Sequence, residues 1–263
     1  MCSPLIEPEV VMSLSAVNVT TSSIFVSWTK PVGNSSFYKV QWTGTSFSVN
    51  VSEMFYNITN LTAGGQYEIT VTAVADDNYT EGQSATVTKY TKPEKVNDLN
   101  VTEIRTSSIF LNWTDPQGQR SFYRVEWTNG TINMNKTVTE VNVTELIPGV
   151  NYTFTVTAVA GDNNTQSDVA TLSQYTKPKK VNDLNVTEIR TSSVFLNWTP
   201  PVGQRSFYRV EWTDGTIKMN KTVTETKVNV TELTPGVNYT FTVTAVAGDD
   251  RTESDVATLS LYT

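Results

Sequence analysis

Among the residue types that usually carry out chemistry, this chain of 263 residues has no histidine and one cysteine, Cys2. Without imidazole, the common general bases, catalytic triads and histidine-containing zinc sites are out of reach, and no cofactor is expected. One cysteine also excludes an internal disulfide, so stability must come from packing. Cys2 is either a reactive thiol or part of a frayed terminus whose partner lies outside this chain. The surrounding Pro4, Glu7 and Pro8 favour the terminus and do not build the apolar core of a signal peptide.

The chemistry that remains is modification of asparagine. Eighteen of the 22 asparagines open an Asn-x-Ser/Thr sequon. Serine and threonine fill 65 of 263 positions, so random placement would give only about five or six such acceptor motifs. The first third of the chain offers Asn18, Asn34, Asn50, Asn57, Asn60 and Asn78. The middle third offers Asn100, Asn112, Asn129, Asn135, Asn142, Asn151 and Asn163, and the last third Asn185, Asn220, Asn229 and Asn238. Asn197 also opens a sequon, but Pro200 follows Thr199 directly and makes it a poor acceptor. Strand alternation explains part of the excess. In Asn112-Trp113-Thr114 and Asn151-Tyr152-Thr153 an inward aromatic leaves both polar residues on the wet face. Loop sequons such as Asn78-Tyr79-Thr80 and Asn129-Gly130-Thr131 have no such origin. The pattern predicts a secretory-pathway protein bearing several N-glycans, with Asn142 and Asn229 occupied.

These asparagines are carried by a repeat. Ser22–Trp28 reads SSIFVSW, Ser107–Trp113 SSIFLNW and Ser192–Trp198 SSVFLNW, which spaces Trp28, Trp113 and Trp198 by 85 residues. Tyr67, Tyr152 and Tyr239 follow at 85 and 87, the extra two being Thr226-Lys227. Three modules result, 1–91, 92–176 and 177–263. Within each, apolar residues alternate with polar ones: Ile109, Leu111, Trp113, then Tyr123, Val125, Trp127, then Tyr152, Phe154, Val156, Ala158. A period of two describes half-buried antiparallel strands, and two such sheets face to face bury the large residues. Pro116-Gln117-Gly118, Asn129-Gly130 and Pro148-Gly149 supply turns. The alternation makes the fold class all-β with three two-sheet sandwiches, and the short, proline-stiffened seams at Lys92-Pro93 and Lys177-Pro178 favour an extended rod.

The tryptophan on the second strand followed by Leu-x-Pro-Gly-x-x-Tyr, at Leu146–Tyr152 and Leu233–Tyr239, resembles the fibronectin type III module, an immunoglobulin-like sandwich, over essentially the whole chain. The resemblance implies a tyrosine corner, in which the phenol hydroxyl bonds nearby backbone. Leu61–Tyr67 lacks the proline and implies a looser loop. Tyr-Thr-Lys-Pro, Val-Asn-Asp-Leu-Asn-Val-Thr and Asn-Val-Thr-Glu-Leu are similar to repeats of receptor-type tyrosine phosphatases of the density-enhanced phosphatase kind. That similarity implies a cell-surface ectodomain whose catalytic domain lies elsewhere, since its His-Cys signature is absent here.

The net charge of −7 argues against nucleic acid as a partner. Arg205, Arg209, Lys218 and Lys221 offer a weak site for acidic glycans, against the simpler reading of cross-strand charge pairing around Arg124-Val125-Glu126 and Arg209-Val210-Glu211. Six tryptophans recur in register at inward positions, which speaks for core rather than a sugar platform. Phe25, Phe110 and Phe195 are different, because alternation turns them away from their own core. They are expected under an edge loop, at a seam or on a contact surface. Modules two and three differ at 11 of 85 aligned positions, mostly in loops, which fits serial spacing. Two functions follow. One is a glycosylated receptor spacer and scaffold that binds an extracellular protein ligand or self-associates in cis, reaching the membrane only through segments outside this chain. The other is an adhesion or matrix module that binds a protein ligand directly. The Arg-Gly-Asp of fibronectin-like adhesion loops is absent from Asp76-Asp77-Asn78, Gly161-Asp162-Asn163 and Gly248-Asp249-Asp250.

Overall fold

The computed structural model describes residues 7–46, 48–128, 130–135 and 137–263; Cys2 and Asn129 lie outside them. The first repeat runs β1 (Met12–Val17), β2 (Ile24–Thr29), β3 (Phe37–Trp42), β4 (Val49–Val51), β5 (Phe55–Ile58), β6 (Gln66–Val74) and β7 (Ala85–Tyr90). The second runs β8 (Asn97–Ile104), β9 (Ile109–Thr114), β10 (Phe122–Trp127), β11 (Gly130–Asn135), β12 (Glu140–Val143), β13 (Asn151–Val159) and β14 (Ala170–Tyr175). The third runs β15 (Asn182–Arg190), β16 (Ser193–Thr199), β17 (Phe207–Thr213), β18 (Lys218–Val223), β19 (Lys227–Val230), β20 (Asn238–Val246) and β21 (Ala257–Tyr262). Each repeat has a three-stranded sheet, β1-β2-β5 in the first, and a four-stranded sheet, β4-β3-β6-β7. The orders β12-β9-β8 with β11-β10-β13-β14, and β15-β16-β19 with β18-β17-β20-β21, restate this topology. Among the described residues no helix is long and apolar enough to cross a membrane.

Alternation sets the core. In the first repeat Ile24, Val26 and Trp28 from β2 meet Tyr38, Val40, Ile69 and Val71 from the facing sheet. In the third, Val194, Leu196 and Trp198 meet Tyr208, Val210, Phe241 and Val243. Removing each such side chain from water contributes roughly 1.5–3 kcal/mol. Trp28 stands edge-on to Tyr38 at 5.4 Å, and Trp198 to Tyr208 at 5.1 Å. Trp28, Trp113 and Trp198 are buried as expected, whereas Trp42, Trp127 and Trp212 are only half-buried. Trp42 and Trp127 close their strands, Trp212 stands one residue before the end of its own, and Trp42 lies 6.2 Å from Tyr56 of β5.

The tyrosine corner is present in every repeat. The hydroxyls of Tyr67, Tyr152 and Tyr239 accept the N–H groups of Thr62, Ile147 and Thr234 at 2.8, 2.9 and 3.2 Å. The first corner keeps its bond without the proline, because Gly64 at φ 67° makes the turn that Gly149 makes at 73°.

By packing, the chain divides into two compact units. One holds Met1–Asp98, Thr114–Thr139 and Thr155–Ala170, the other Leu99–Trp113, Glu140–Phe154 and Thr171–Thr263.

Candidate functional site

Of sixteen sequon asparagines with described side chains, fourteen are exposed, while Asn112 and Asn197 are half-buried. Asn57, Asn142 and Asn229 hold equivalent places on β5, β12 and β19, between inward residues. Asn78 and Asn163 sit in the loop after the long central strand with φ of 66° and 60°, which asparagine tolerates better than most residues. Asn135 closes β11, and Asn129 falls outside the described residues. Asn112 and Asn197 lie in the middle strands β9 and β16, flanked on both sides, which explains their lower exposure. The Asn197 Oδ1 is buried without a hydrogen-bond partner.

The outward phenylalanines stand beside three of these sequons. Phe25 pairs across strands with Asn57, Phe110 with Asn142 and Phe195 with Asn229. Directly opposed residues share a face of the sheet, so each ring lies next to an acceptor amide. Phe25 is stacked by Phe55 at 5.6 Å, and the Arg105 guanidinium covers Phe110 at 4.8 Å. Phe195 instead borders an open groove of about 500 Å³ together with Lys221, Val223, Glu225 and Asn229.

The loops that match adhesion loops but lack Arg-Gly-Asp are closed by their own aspartates. The Asp77 carboxylate accepts the N–H groups of Tyr79 and Thr80 and the Thr80 hydroxyl. Asp162 does the same for Asn164 and Thr165, and Asp249 for Arg251 and Thr252. The Thr80 hydroxyl, with the backbone amides, holds the Asp77 carboxyl below its ordinary range. At Asp162 and Asp249 burial works to raise the pKa, and the same bonds outweigh it. Three of the four basic residues singled out in the third repeat are engaged. Arg209 pairs with Glu253, Lys218 with Glu211 at 3.0 Å, and Arg205 lies over the Tyr208 ring at 4.7 Å.

Within the first unit the Gln119 N–H donates to the Ala63 carbonyl at 2.7 Å, and a Cβ at Gly64 would lie 1.7 Å from the Gln119 oxygen. Within the second unit Gln204 donates to Pro148 at 2.8 Å, and a Cβ at Gly149 would lie 1.8 Å from the Gln204 oxygen. Only glycine permits backbones to approach this closely. Sequence reasoning read Tyr-Thr-Lys-Pro as linker and missed its threonine. The hydroxyls of Thr91, Thr176 and Thr263 donate to the carbonyls of Thr62, Ile147 and Thr234 at 2.7, 2.6 and 2.6 Å. Recurrence of this residue in all three repeats was the available signal.

The fibronectin type III domain matches residues 8–89, 92–172 and 177–259, and the chain belongs to that family. It is 35% identical to receptor-type tyrosine-protein phosphatase eta of Gallus gallus over 98% of this chain and 19% of that protein. It is 34% identical to receptor-type tyrosine-protein phosphatase H of Homo sapiens over 88% of this chain and 22% of that one. Tenascin-R of Rattus norvegicus is 26% identical over 94% of this chain and 19% of its own. The chain therefore spans about a fifth of these relatives. It is an extracellular fibronectin type III segment, and this segment is non-catalytic.

Proposed function

We propose that the chain is a glycosylated spacer and protein-interaction scaffold in the ectodomain of a receptor-type tyrosine phosphatase, on the extracellular face of the plasma membrane. Its modules are bounded at 91/92 and 176/177, and its partner is an extracellular protein or a second copy in cis. The observation that carries the reading is the spread of exposed sequon asparagines over all three repeats. Glycans on so many faces hold neighbouring surfaces apart and leave limited bare protein for a partner. Glycine-backed contacts at Gly64 and Gly149 support stiff seams.

A matrix or adhesion role is the second reading, favoured by the similarity to tenascin-R. Glycopeptide mass spectrometry on protein secreted from eukaryotic cells tests glycosylation. The mass should exceed 29.1 kDa and fall to it on enzymatic deglycosylation; an unshifted mass would overturn the secretory reading. Small-angle scattering on the deglycosylated chain tests the spacer. Strands of about seven residues rising ~3.3 Å each predict a maximum dimension on the order of 100 Å for modules placed end to end. A value near ~60 Å would favour a compact binding head.

A further inference from the structure

We propose that Phe195 is a binding platform for the first N-acetylglucosamine of the glycan on Asn229. The inference rests on the reading that Asn229 is glycosylated, and adds where its sugar lies. A ring that alternation points away from the core has no evident structural task, yet Phe195 opposes Asn229 in the antiparallel pairing of β16 with β19. Opposed residues bring their Cβ atoms to about 4.5–5.5 Å on one face. A sugar linked to the Asn229 amide nitrogen therefore begins within a ring's breadth of the phenyl.

The sugar's chemistry suits that neighbour. A β-linked N-acetylglucosamine carries the axial hydrogens of C1, C3 and C5 on one side of the pyranose. That side is apolar, and packing it on an aromatic face removes both from water. Phe195 and Asn229 together border the groove of about 500 Å³ and a smaller recess of about 100 Å³. The larger volume lies within the roughly 300–1,000 Å³ range of small-ligand sites. Lys221 and Glu225 on the groove wall supply polar groups for the sugar hydroxyls. Arg190, which borders the recess, has its guanidinium paired with Glu188 at 2.7 Å.

The other repeats provide internal controls. At Asn142 the Phe110 ring is already covered by Arg105, and at Asn57 the Phe25 ring is stacked by Phe55. Among the described residues no aromatic or cationic group is stacked on Phe195. Sugar contact should therefore be strongest at Asn229.

The test uses the full chain secreted with high-mannose glycans and trimmed by an endoglycosidase to one N-acetylglucosamine per occupied site. Sugar C–H resonances are assigned through Asn229→Gln, and occupancy is read by glycopeptide mass spectrometry. The C1, C3 and C5 protons on Asn229 should be displaced upfield by the ring current, and Phe195→Ala should return them to the values of an exposed site. Phe195→Leu keeps the bulk and fold of the site but not the ring current, and should also abolish the displacement. An occupied Asn229 whose protons are identical in the parent and both variants would overturn the platform and leave glycosylation standing. A bare Asn229 would overturn the glycosylation reading at that site, and this inference with it.

Discussion

In the second repeat the Tyr123 hydroxyl donates to the Asp115 carboxylate, which also pairs with Arg120. In the third, Pro200 stands where Asp115 stands, and the hydroxyl of the matching Tyr208 is buried without a hydrogen-bond partner. The first repeat uses a third arrangement, Ser35 donating to the Tyr38 hydroxyl at 3.3 Å. All three rings occupy the same place in the core. The comparison teaches that the ring is specified by strand alternation, while its polar tip is specified by the loop before the strand. One loop substitution between near-copies takes away the acid that the hydroxyl bonds.

The largest expected effect comes from breaking the network. Asp115→Ala would leave Arg120, whose side chain is 11% exposed, and the Tyr123 hydroxyl without their shared acceptor. That should destabilise the second repeat by about 2–3 kcal/mol. Peptide-resolved hydrogen exchange on the full chain reads the loss repeat by repeat. A change confined below ~0.5 kcal/mol would mean that the pair is a solvated surface contact.

Removing the hydroxyls sharpens the contrast. Tyr123→Phe should cost about 1–2 kcal/mol, since a bond to a charged acceptor is lost. Tyr208→Phe should be neutral or stabilise by up to ~1 kcal/mol, because it deletes a buried polar group with no partner. Equal costs in the two repeats, measured by the same exchange experiment, would remove the distinction.

The smallest effect is a titration. Burial, then the bond to Asp115, pushes the Tyr123 phenol up to about 12, with Arg120 acting in the opposite sense. Burial raises Tyr208 as well. In the unfolded chain a tyrosine ionises near ~10, so the folded state holds its proton longer. This stabilisation is complete below about pH 10 and is lost as pH rises towards 12. Ultraviolet difference spectra should show the last tyrosine ionising near 12 in the parent and missing in Tyr123→Phe. An unchanged titration curve in Tyr123→Phe would count against the assignment.

Much of the fold is legible in the residues alone. Ile24-Phe25-Val26-Ser27-Trp28 declares its two faces, and the burial of Ile24, Val26 and Trp28 follows that alternation. The corner is legible too, since a leucine and a tyrosine six residues apart recur in every repeat. Candidate glycan acceptors are equally visible, because a sequon is a local motif. Asn112 and Asn142 look alike in sequence, yet only one is on a strand flanked on both sides, so their different exposure was not legible.

Local periodicity thus determined which side chains face inward, how often the unit repeats and where asparagine meets threonine. These properties depend on neighbours within a strand or turn. Tertiary structure decided what depends on residues far apart in the chain. It set Phe195 opposite Asn229 and closed Gly64 against Gln119. Cross-strand register and backbone approach are fixed only when separate segments pack, and the repeats share both because they share the fold.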